Sequence, residues 1–248
     1  MEVDMTKASA DRDWNKIDFE QLFLPTIAID TVIFGYHNKR LMVLLLQYKN
    51  TQSFALPGGF VMKKENLNDA AQRVLKDRTG LSNIFLEQFY AFGNYSRHDA
   101  SFFEQIMKGR GLKPSRDHFL LSRFISIGYY ALVDFTKAVP ATDQLADNCK
   151  WYDLKKIPQL IQDHNQITKK ALETLRENLD EKLIGFNLLP ETFTMRELQT
   201  VYETILKNKF LRTSFQRKMI NLGILEKVDK KWTGGAHKAP YLYKFLSG

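Results

Sequence analysis

Residues 55–81, ALPGGFVMKKENLNDAAQRVLKDRTGL, decide the fold, because they combine a short strand, a pair of glycines and a periodic helix. The strand is interrupted at Pro57-Gly58-Gly59, where the backbone must turn or let another group approach closely. From 66 to 79 the apolar residues recur at spacings of three and four, and Gly80 follows as a C-terminal stop. The stretch therefore predicts a strand, a glycine loop and a helix.

Further apolar segments flank this stretch. Residues 26–34 and 41–47 are separated by a short polar turn and predict a β-hairpin with largely buried strands. Three more strands are predicted at 84–92, 124–133 and 150–154, and an amphipathic helix at 167–183. This mixture of strands and helices predicts an α+β domain with a sizeable sheet.

A long polar connection, residues 96–122, separates two of these strands and carries Gly109, Gly111 and Pro114. Connections of this length in a compact domain are usually functional or disordered. We interpret it as a lid or a dimer element. Tyr95, Arg97 and Arg123 bracket it and are suited to holding an anionic or polyhydroxylated ligand, although such residues serve as often in surface packing.

The composition of the 248-residue chain, with 44% hydrophobic and 26% charged residues, is that of a globular protein and excludes a disordered or collagen-like polymer. Cys149 is the only cysteine, which excludes a disulfide framework and a cysteine-rich zinc site within one chain. The five histidines lack metal-ligand spacing, so neither a metal nor a cofactor is expected. No apolar run approaches the ~20 residues of a membrane-spanning helix, and we expect a soluble, cytoplasmic protein without a membrane partner.

The net charge of +8 is concentrated at one end of the chain. Residues 206–248 hold ten basic and two acidic side chains, a surplus of eight, whereas the first 205 residues hold 26 of each sign. This distribution predicts a polyanion-binding module on an electrically neutral body. A solvated basic surface is the simpler alternative.

The basic end has the element order of a winged helix-turn-helix. Thr194-Met195-Arg196-Glu197 is a capping box that opens a helix through about residue 206. A second helix is predicted at 213–221, with Phe215, Met219 and Ile220 facing inward, and two strands at 224–229 and 241–245 surround a Gly234-Gly235 loop. With a hinge at 185–190, the predicted units are an extension at 1–24, a domain at 25–184 and the winged helix at 185–248.

The second helix of this unit carries side chains suited to DNA. Thr213, Ser214, Gln216 and Arg217 suit base edges, and Arg212 and Lys218 suit phosphates. Helix capping is an equally good interpretation of Thr213 and Ser214. Lys230, Lys231, His237 and Lys238 flank the glycine loop as a wing that approaches the DNA backbone or minor groove.

The glycine loop and its helix resemble the Nudix box, whose pattern is G-x5-E-x7-R-E-U-x-E-E-x-G-U with U aliphatic. The positions that match it in register are Gly59, Glu65, Arg73, Leu75, Gly80 and Leu81. In Nudix hydrolases three box glutamates hold the divalent metals, and their positions are occupied here by Val74, Asp77 and Arg78. One carboxylate beside a guanidinium is a poor magnesium site. The resemblance therefore implies a Nudix-like mixed-sheet α/β/α domain that has lost hydrolysis and kept a pocket, with Glu65 and Arg73 as a structural ion pair.

A Nudix-like domain followed by a winged helix resembles the Nudix-related transcriptional regulators of bacteria. The junction 184–190, Asp163-His164 and the closing segment 239–245 support this resemblance. It implies a homodimeric repressor of operator DNA that senses ADP-ribose or a sugar, in the NAD-metabolism or the sugar-responsive branch. The effector-binding residues that the family positions imply are Gly58, Gly59, Phe60, Glu65, Arg73 and Asp77. The candidates that bracket the insertion are Tyr95, Arg97 and Arg123.

Two other functions remain compatible with the sequence. The first is an active Nudix diphosphate hydrolase with an accessory nucleic-acid-binding domain, which would use Asp77 and Glu65 on a metal. The second is a protein that binds RNA or DNA without sequence preference. Magnesium-dependent turnover distinguishes the first function from a regulator, and competition between operator and random duplex distinguishes the second.

Overall fold

In the computed structural model, residues 23–109, 118–142, 146–180, 188–231 and 239–246 are described. They form a mixed sheet with helices, followed by a smaller helical unit with its own sheet, which confirms the predicted α+β class. The strands are β1 (Phe23–His37), β2 (Arg40–Tyr48), β3 (Phe54–Ala55), β4 (Gly58–Met62), β5 (Leu86–Phe92), β6 (Ile125–Val133), β7 (Ala146–Asp153), β8 (Phe193–Thr194), β9 (Leu225–Lys230) and β10 (Tyr241–Phe245). The helices are α1 (Leu67–Thr79), α2 (Ala100–Gly109), α3 (His164–Glu177), α4 (Met195–Leu206) and α5 (Arg212–Asn221).

Strand β1 organises the larger sheet. It pairs antiparallel with β2 and β4 and parallel with β6, within the strand order β3-β2-β1-β6-β5, and β7 pairs with β2. Its residues Ile29, Val32, Ile33 and Phe34 are fully buried, because this central strand is covered on both faces. The hairpin between β1 and β2 is confirmed, and both residues of its turn, Asn38 and Lys39, have positive φ angles of 48° and 59°, as a tight hairpin turn requires.

Helix α1 follows the glycine loop as predicted. Its apolar face buries Ala70, Ala71, Val74 and Leu75. Gly80 ends the helix with a φ of 71°, a conformation that favours glycine, and its N–H donates to the carbonyl of Lys76 at 2.8 Å. The strand, loop and helix of the Nudix box are therefore present in the expected order.

The insertion contains a helix that the sequence analysis did not predict. Helix α2 occupies Ala100–Gly109 and buries Ile106 and Met107, while residues 110–117 lie outside the described part of the chain. The many polar residues across 96–122 obscured this short amphipathic segment. The helix predicted at 167–183 is also displaced: α3 begins at His164 and ends at Glu177, and the predicted end at 181–183 lies outside the described residues.

The smaller unit has the helix-helix-hairpin order that was predicted. Thr194 and Glu197 form the capping box of α4: the Glu197 N–H donates to Thr194 Oγ1 at 3.2 Å, and the Thr194 N–H donates to Glu197 Oε2 at 2.6 Å. Strands β8, β10 and β9 form the second sheet in that order. The prediction that Ile220 faces inward was wrong: its side chain is 52% exposed, because the buried face of α5 is narrow and consists of Phe215 and Met219.

Apolar contacts continue between the larger and the smaller unit. Leu188 and Leu189, in the predicted hinge, are buried in the same cluster as Phe34 of β1 and Val201 of α4. The first part of that hinge, 185–187, and the Gly234-Gly235 loop lie outside the described residues. Among the helices that the structure describes, none has the length and hydropathy needed to cross a bilayer.

Candidate effector and nucleic-acid sites

The glycine loop is held tightly against β1. Gly58 lies opposite Asp30 in the β1-β4 register, and the Thr31 N–H donates to the Pro57 carbonyl at 2.8 Å. A Cβ atom on Gly58 would lie 2.8 Å from both Asp30 Oδ1 and the Ile29 carbonyl oxygen. Glycine is therefore required at position 58 because the two backbones approach too closely for any side chain.

Glu65 and Arg73 form a bidentate ion pair across the loop. Arg73 Nε donates to Glu65 Oε1 at 2.7 Å and Arg73 Nη2 to Glu65 Oε2 at 2.8 Å. The same Nη2 donates to the Phe60 carbonyl at 2.9 Å, and Glu65 Oε2 accepts the Met62 N–H at 3.1 Å. The pair fixes the backbone from Phe60 to Glu65, as expected of a structural ion pair.

The three helix positions that carry glutamates in Nudix hydrolases differ in their surroundings. Val74 is 3% exposed, and its Cγ2 would lie 3.1 Å from a Cβ atom on Gly59. Arg78 is 5% exposed, and Asp77 is half-buried. Among the described residues, no group of three or more His, Cys, Asp or Glu side chains could hold a metal ion. An aliphatic and a cationic side chain at two of the three positions do not fit a divalent cation.

A buried polar network lies beneath the glycine loop. Arg97, which is 8% exposed, donates from Nε and Nη2 to the two carboxylate oxygens of Asp163, each at 2.9 Å, and from Nη1 to the Phe124 carbonyl at 2.9 Å. Arg97 Nη2 lies 3.7 Å from Asp30 Oδ2, and the same carboxylate accepts a hydrogen bond from the Ser126 hydroxyl. The guanidinium of Arg97, predicted to bind effector, is thus engaged within the protein.

This network also reaches the start of helix α3. His164 Nδ1 accepts the Leu56 N–H at 3.0 Å, and its Nε2 lies 3.7 Å from Asp30 Oδ1. The roles of Asp30, Ser126 and Asp163-His164 were not predicted from the sequence. An acidic residue inside the apolar run TIAIDTVIF was the available signal for Asp30, since a buried charge requires a partner.

The remaining predicted effector residues lie around the insertion. Phe60 packs against Phe119 and Phe124, with ring centroids 4.9 Å apart in each pair. Tyr95 is 84% exposed, and the Arg123 guanidinium lies 5.6 Å from the centre of its ring while also donating to the Gly93 carbonyl. Tyr95 and Arg123 therefore form a surface pair at the edge of the insertion.

Helix α5 presents a polar, basic face opposite its buried Phe215 and Met219. Arg212, Thr213, Ser214 and Arg217 are exposed, and Gln216 is half-buried. The helix begins at Arg212 with Leu211 as its N-cap, so Thr213 and Ser214 lie within the first turn and do not cap it. Lys218 lies on the flank of the helix, where its ammonium group contacts the Asp180 carboxylate.

The wing residues are only partly within the described chain. Lys231 Nζ lies 3.1 Å from Glu197 Oε1, and Lys230 Nζ lies 5.8 Å from the centre of the Tyr241 ring. Hydrogen bonds from Thr194 and Lys231 lower the pKa of Glu197 even though its partial burial opposes this shift. His237 and Lys238, also predicted to contact DNA, lie outside the described residues.

Comparison with known proteins identifies both units. Residues 24–175 match the NUDIX domain family, and residues 185–245 match the NrtR DNA-binding winged helix domain. The chain is 30% identical over 228 residues to an Acinetobacter baylyi protein described as an ADPR responsive transcriptional repressor NtrR, with 89% of this chain and 82% of that protein covered. It is 27% identical to an ADP-ribose pyrophosphatase of Methanocaldococcus jannaschii over 148 residues, which cover 58% of this chain and 72% of that enzyme.

The structural comparison extends over both units. The crystal structure of Shewanella oneidensis NrtR complexed with a 27mer DNA is similar with a TM-score of 0.69 and 26% identity, covering 89% of this chain and 94% of that chain. The fold and the sites thus define a Nudix-domain protein with a C-terminal winged helix. The chain belongs to the Nudix-related transcriptional regulators of the NrtR type.

Proposed function

We propose that this chain is a transcriptional repressor that binds operator DNA through helix α5 and the adjacent hairpin. The exposed polar face of α5 carries this proposal: Arg212 and Arg217 face solvent beside Thr213 and Ser214, while Phe215 packs edge-on against Tyr202 of α4 at 5.2 Å. A helix that is packed on its neighbour and exposes polar and basic side chains is suited to binding in the major groove of DNA. The similar Shewanella structure holds DNA, which supports this assignment.

We propose ADP-ribose as the effector and the region of the glycine loop as its site. The Acinetobacter relative is described as responsive to ADP-ribose, and in this chain Arg73 of helix α1 is bonded to Glu65 and to the Phe60 carbonyl, which ties the helix to the glycine loop. Glu65 and Arg73 bond to each other, so we propose that the half-buried Asp77, the backbone of Gly59 and the exposed Tyr95 contribute to ligand binding. A sugar remains the alternative ligand class.

We propose that the domain does not hydrolyse its effector. Two of the three metal-binding positions hold Val74 and Arg78, so a magnesium ion would meet a single carboxylate and a buried guanidinium. The pyrophosphatase relative makes an active hydrolase the second candidate. Magnesium-dependent hydrolysis of ADP-ribose that disappears in Asp77→Asn would establish the hydrolase and overturn this proposal.

We further propose that the protein acts as a homodimer in the bacterial cytoplasm, where its operator lies. Helix-turn-helix proteins commonly read two half-sites with a two-fold axis, which a single chain cannot do. Analytical ultracentrifugation of the full chain with and without DNA tests this: a monomer bound to its operator would contradict it.

The central experiment measures DNA binding by fluorescence anisotropy. An operator is first selected from randomised duplexes with the full chain, and its affinity is then compared with that of a scrambled duplex at fixed salt. A repressor is expected to favour its site by ~10³ or more, whereas a non-specific binder would show equal affinities. Adding ADP-ribose is expected to weaken operator binding, and an unchanged affinity would exclude ADP-ribose as the effector.

A further inference from the structure

The segment that follows helix α3 contacts α5, the helix that we propose enters the major groove and call the recognition helix. The ammonium group of Lys218, on α5, donates to Asp180 Oδ2. The side chain of Lys218 is 40% exposed and that of Asp180 is 39% exposed. The same ammonium lies 5.9 Å from the centre of the Tyr202 ring, and the Tyr202 hydroxyl donates to the Leu179 carbonyl at 3.3 Å. Three residues after the end of α3, the chain thus meets both helices of the DNA-binding unit.

Two further contacts hold helix α4 against the larger unit. Arg176 Nε, in the last turn of α3, donates to the Ile205 carbonyl at 2.8 Å. Tyr36 of β1 hydrogen-bonds to Thr204, and partial burial raises the pKa of Tyr36. Helices α4 and α5 are therefore fixed relative to the last turn of α3 through hydrogen bonds as well as apolar packing.

The other end of α3 lies in the polar network beneath the glycine loop. Asp163, immediately before the helix, holds Arg97, and His164, its first residue, accepts the Leu56 N–H two positions before Gly58. The 14 residues of α3 extend over ~20 Å, at about 1.5 Å per residue. Helix α3 and the three residues after it thus connect the network beneath the glycine loop with the recognition helix.

Lys218 lies at the edge of the DNA-facing surface of α5. Phe215, three residues earlier, is buried, and Ser214, four residues earlier, is exposed, so Lys218 lies between the buried face and the exposed face, with Thr213 and Arg217 further round the helix. Lys218 points towards Asp180, and its charge is balanced there. This arrangement is typical of a residue that orients the helix.

We propose that Asp180 and Lys218 form a clamp that fixes the recognition helix to the segment directly after helix α3 and couples the effector site to DNA binding. This inference rests on the proposed function and adds a route for its regulation. A ligand that moves the glycine loop displaces the Leu56-His164 and Arg97-Asp163 contacts, α3 moves as a rigid element, and the clamp carries α5 with it. Lys218 is then a positioning residue. Coupling between two such sites is typically about 5- to 150-fold in affinity.

The test compares full-length variants by operator anisotropy with and without ADP-ribose, and by calorimetry of ADP-ribose binding. Asp180→Asn and Lys218→Met are each expected to reduce the effect of ADP-ribose on DNA affinity at least about fivefold, the lower end of typical coupling, while ADP-ribose itself binds as before. The double variant is expected to match the single variants, because both remove one interaction. The swapped pair, Asp180→Lys with Lys218→Asp, is expected to restore the response and to control for misfolding.

Lys137→Met is the matched control, since Lys137 pairs with Asp134 at 3.8 Å on the larger unit, outside both α5 and the adjacent hairpin. It is expected to retain the full response. A Lys218→Met variant that lowers the salt dependence of binding by about 0.9, as the loss of one phosphate contact does, would overturn the clamp, and so would an unchanged response in all variants. A wild-type protein that ignores ADP-ribose or DNA would instead contradict the proposed function.

Discussion

Arg97 donates two hydrogen bonds of 2.9 Å to the two carboxylate oxygens of Asp163, although 66 positions separate them in the sequence. Both side chains are about nine-tenths buried, and the Arg97 guanidinium also holds the Phe124 carbonyl. This pair joins the start of the insertion, the residue before strand β6 and the start of helix α3. The insertion is therefore connected to the body of the domain by a buried ion pair.

Replacing Arg97 by methionine is expected to lower the free energy of unfolding by about 3–5 kcal/mol, because the Asp163 carboxylate is left buried without its cation. Urea denaturation followed by circular dichroism measures this loss. Lys137→Met is the control: Lys137 pairs with Asp134 at 3.8 Å on the surface, and its loss is expected to cost less than about 1 kcal/mol. Equal effects of the two substitutions would contradict the structural role of Arg97.

Gly58→Ala is expected to destabilise the protein by about 1–3 kcal/mol, because the new methyl group would lie 2.8 Å from Asp30 Oδ1 and from a backbone carbonyl. Gly93→Ala provides the comparison, since the nearest atom to its Cβ is 3.8 Å away. Its effect is expected to stay within about 0.5 kcal/mol. Thermal melts of the two variants test the difference, and a stable Gly58→Ala protein would show that the loop can move away from β1.

Arg217→Ala is expected to weaken operator binding and to reduce the slope of log affinity against log salt by about 0.9, if this exposed side chain contacts one phosphate. A contact to a base instead predicts lost discrimination at one operator position with little change in slope. Anisotropy titrations at several salt concentrations distinguish these outcomes. Lys137→Ala, on the larger unit, should leave the slope unaltered, and an unaffected Arg217→Ala would remove this residue from the interface.

We expect Glu203, which holds the turn between α4 and α5, to make the stability of the protein depend on pH. Hydrogen bonds from Lys209 Nζ at 2.6 Å, Gln199 Nε2 at 2.9 Å and the Phe210 N–H at 3.1 Å lower the pKa of its carboxyl to about 2 from 4.5. Since the folded pKa is lowered, this contribution to stability is present in full above the unfolded pKa and is lost as pH falls towards the folded pKa.

The corresponding experiment follows the melting temperature between about pH 5 and pH 3, the interval in which the unfolded carboxyl takes up its proton first. The wild-type melting temperature is expected to fall more steeply than that of Glu203→Gln, which has no charge to lose. Lys209→Gln should show an intermediate slope, because Gln199 and Phe210 still hold the carboxylate. Parallel curves for all three proteins would refute the assignment.

Much of the fold followed from local sequence patterns. The apolar runs and polar turn at 26–47, the glycine-stopped helix α1 and the capping box at Thr194 each depend on neighbouring residues, and the structure has all of them. Helix α2 escaped prediction because its apolar residues are embedded in a polar segment, and its Phe102 and Phe103 pack against Tyr48 and Phe124, which are distant in sequence. Ile220 was wrongly predicted to face inward because it borders the narrow buried face of α5, and helical spacing alone does not show where that face ends.

The sequence by itself determined the Nudix box with its altered metal positions, the pairing of Glu65 with Arg73, and the basic helix-turn-helix, because spacing and residue type suffice for local structure. Only the tertiary structure decided which charged groups face solvent. It placed Arg97 against Asp163 and Lys218 against Asp180, contacts within the protein that the sequence did not predict. The physical reason is that a buried or half-buried charge takes the nearest opposite charge, and the chain fold alone determines which residue that is.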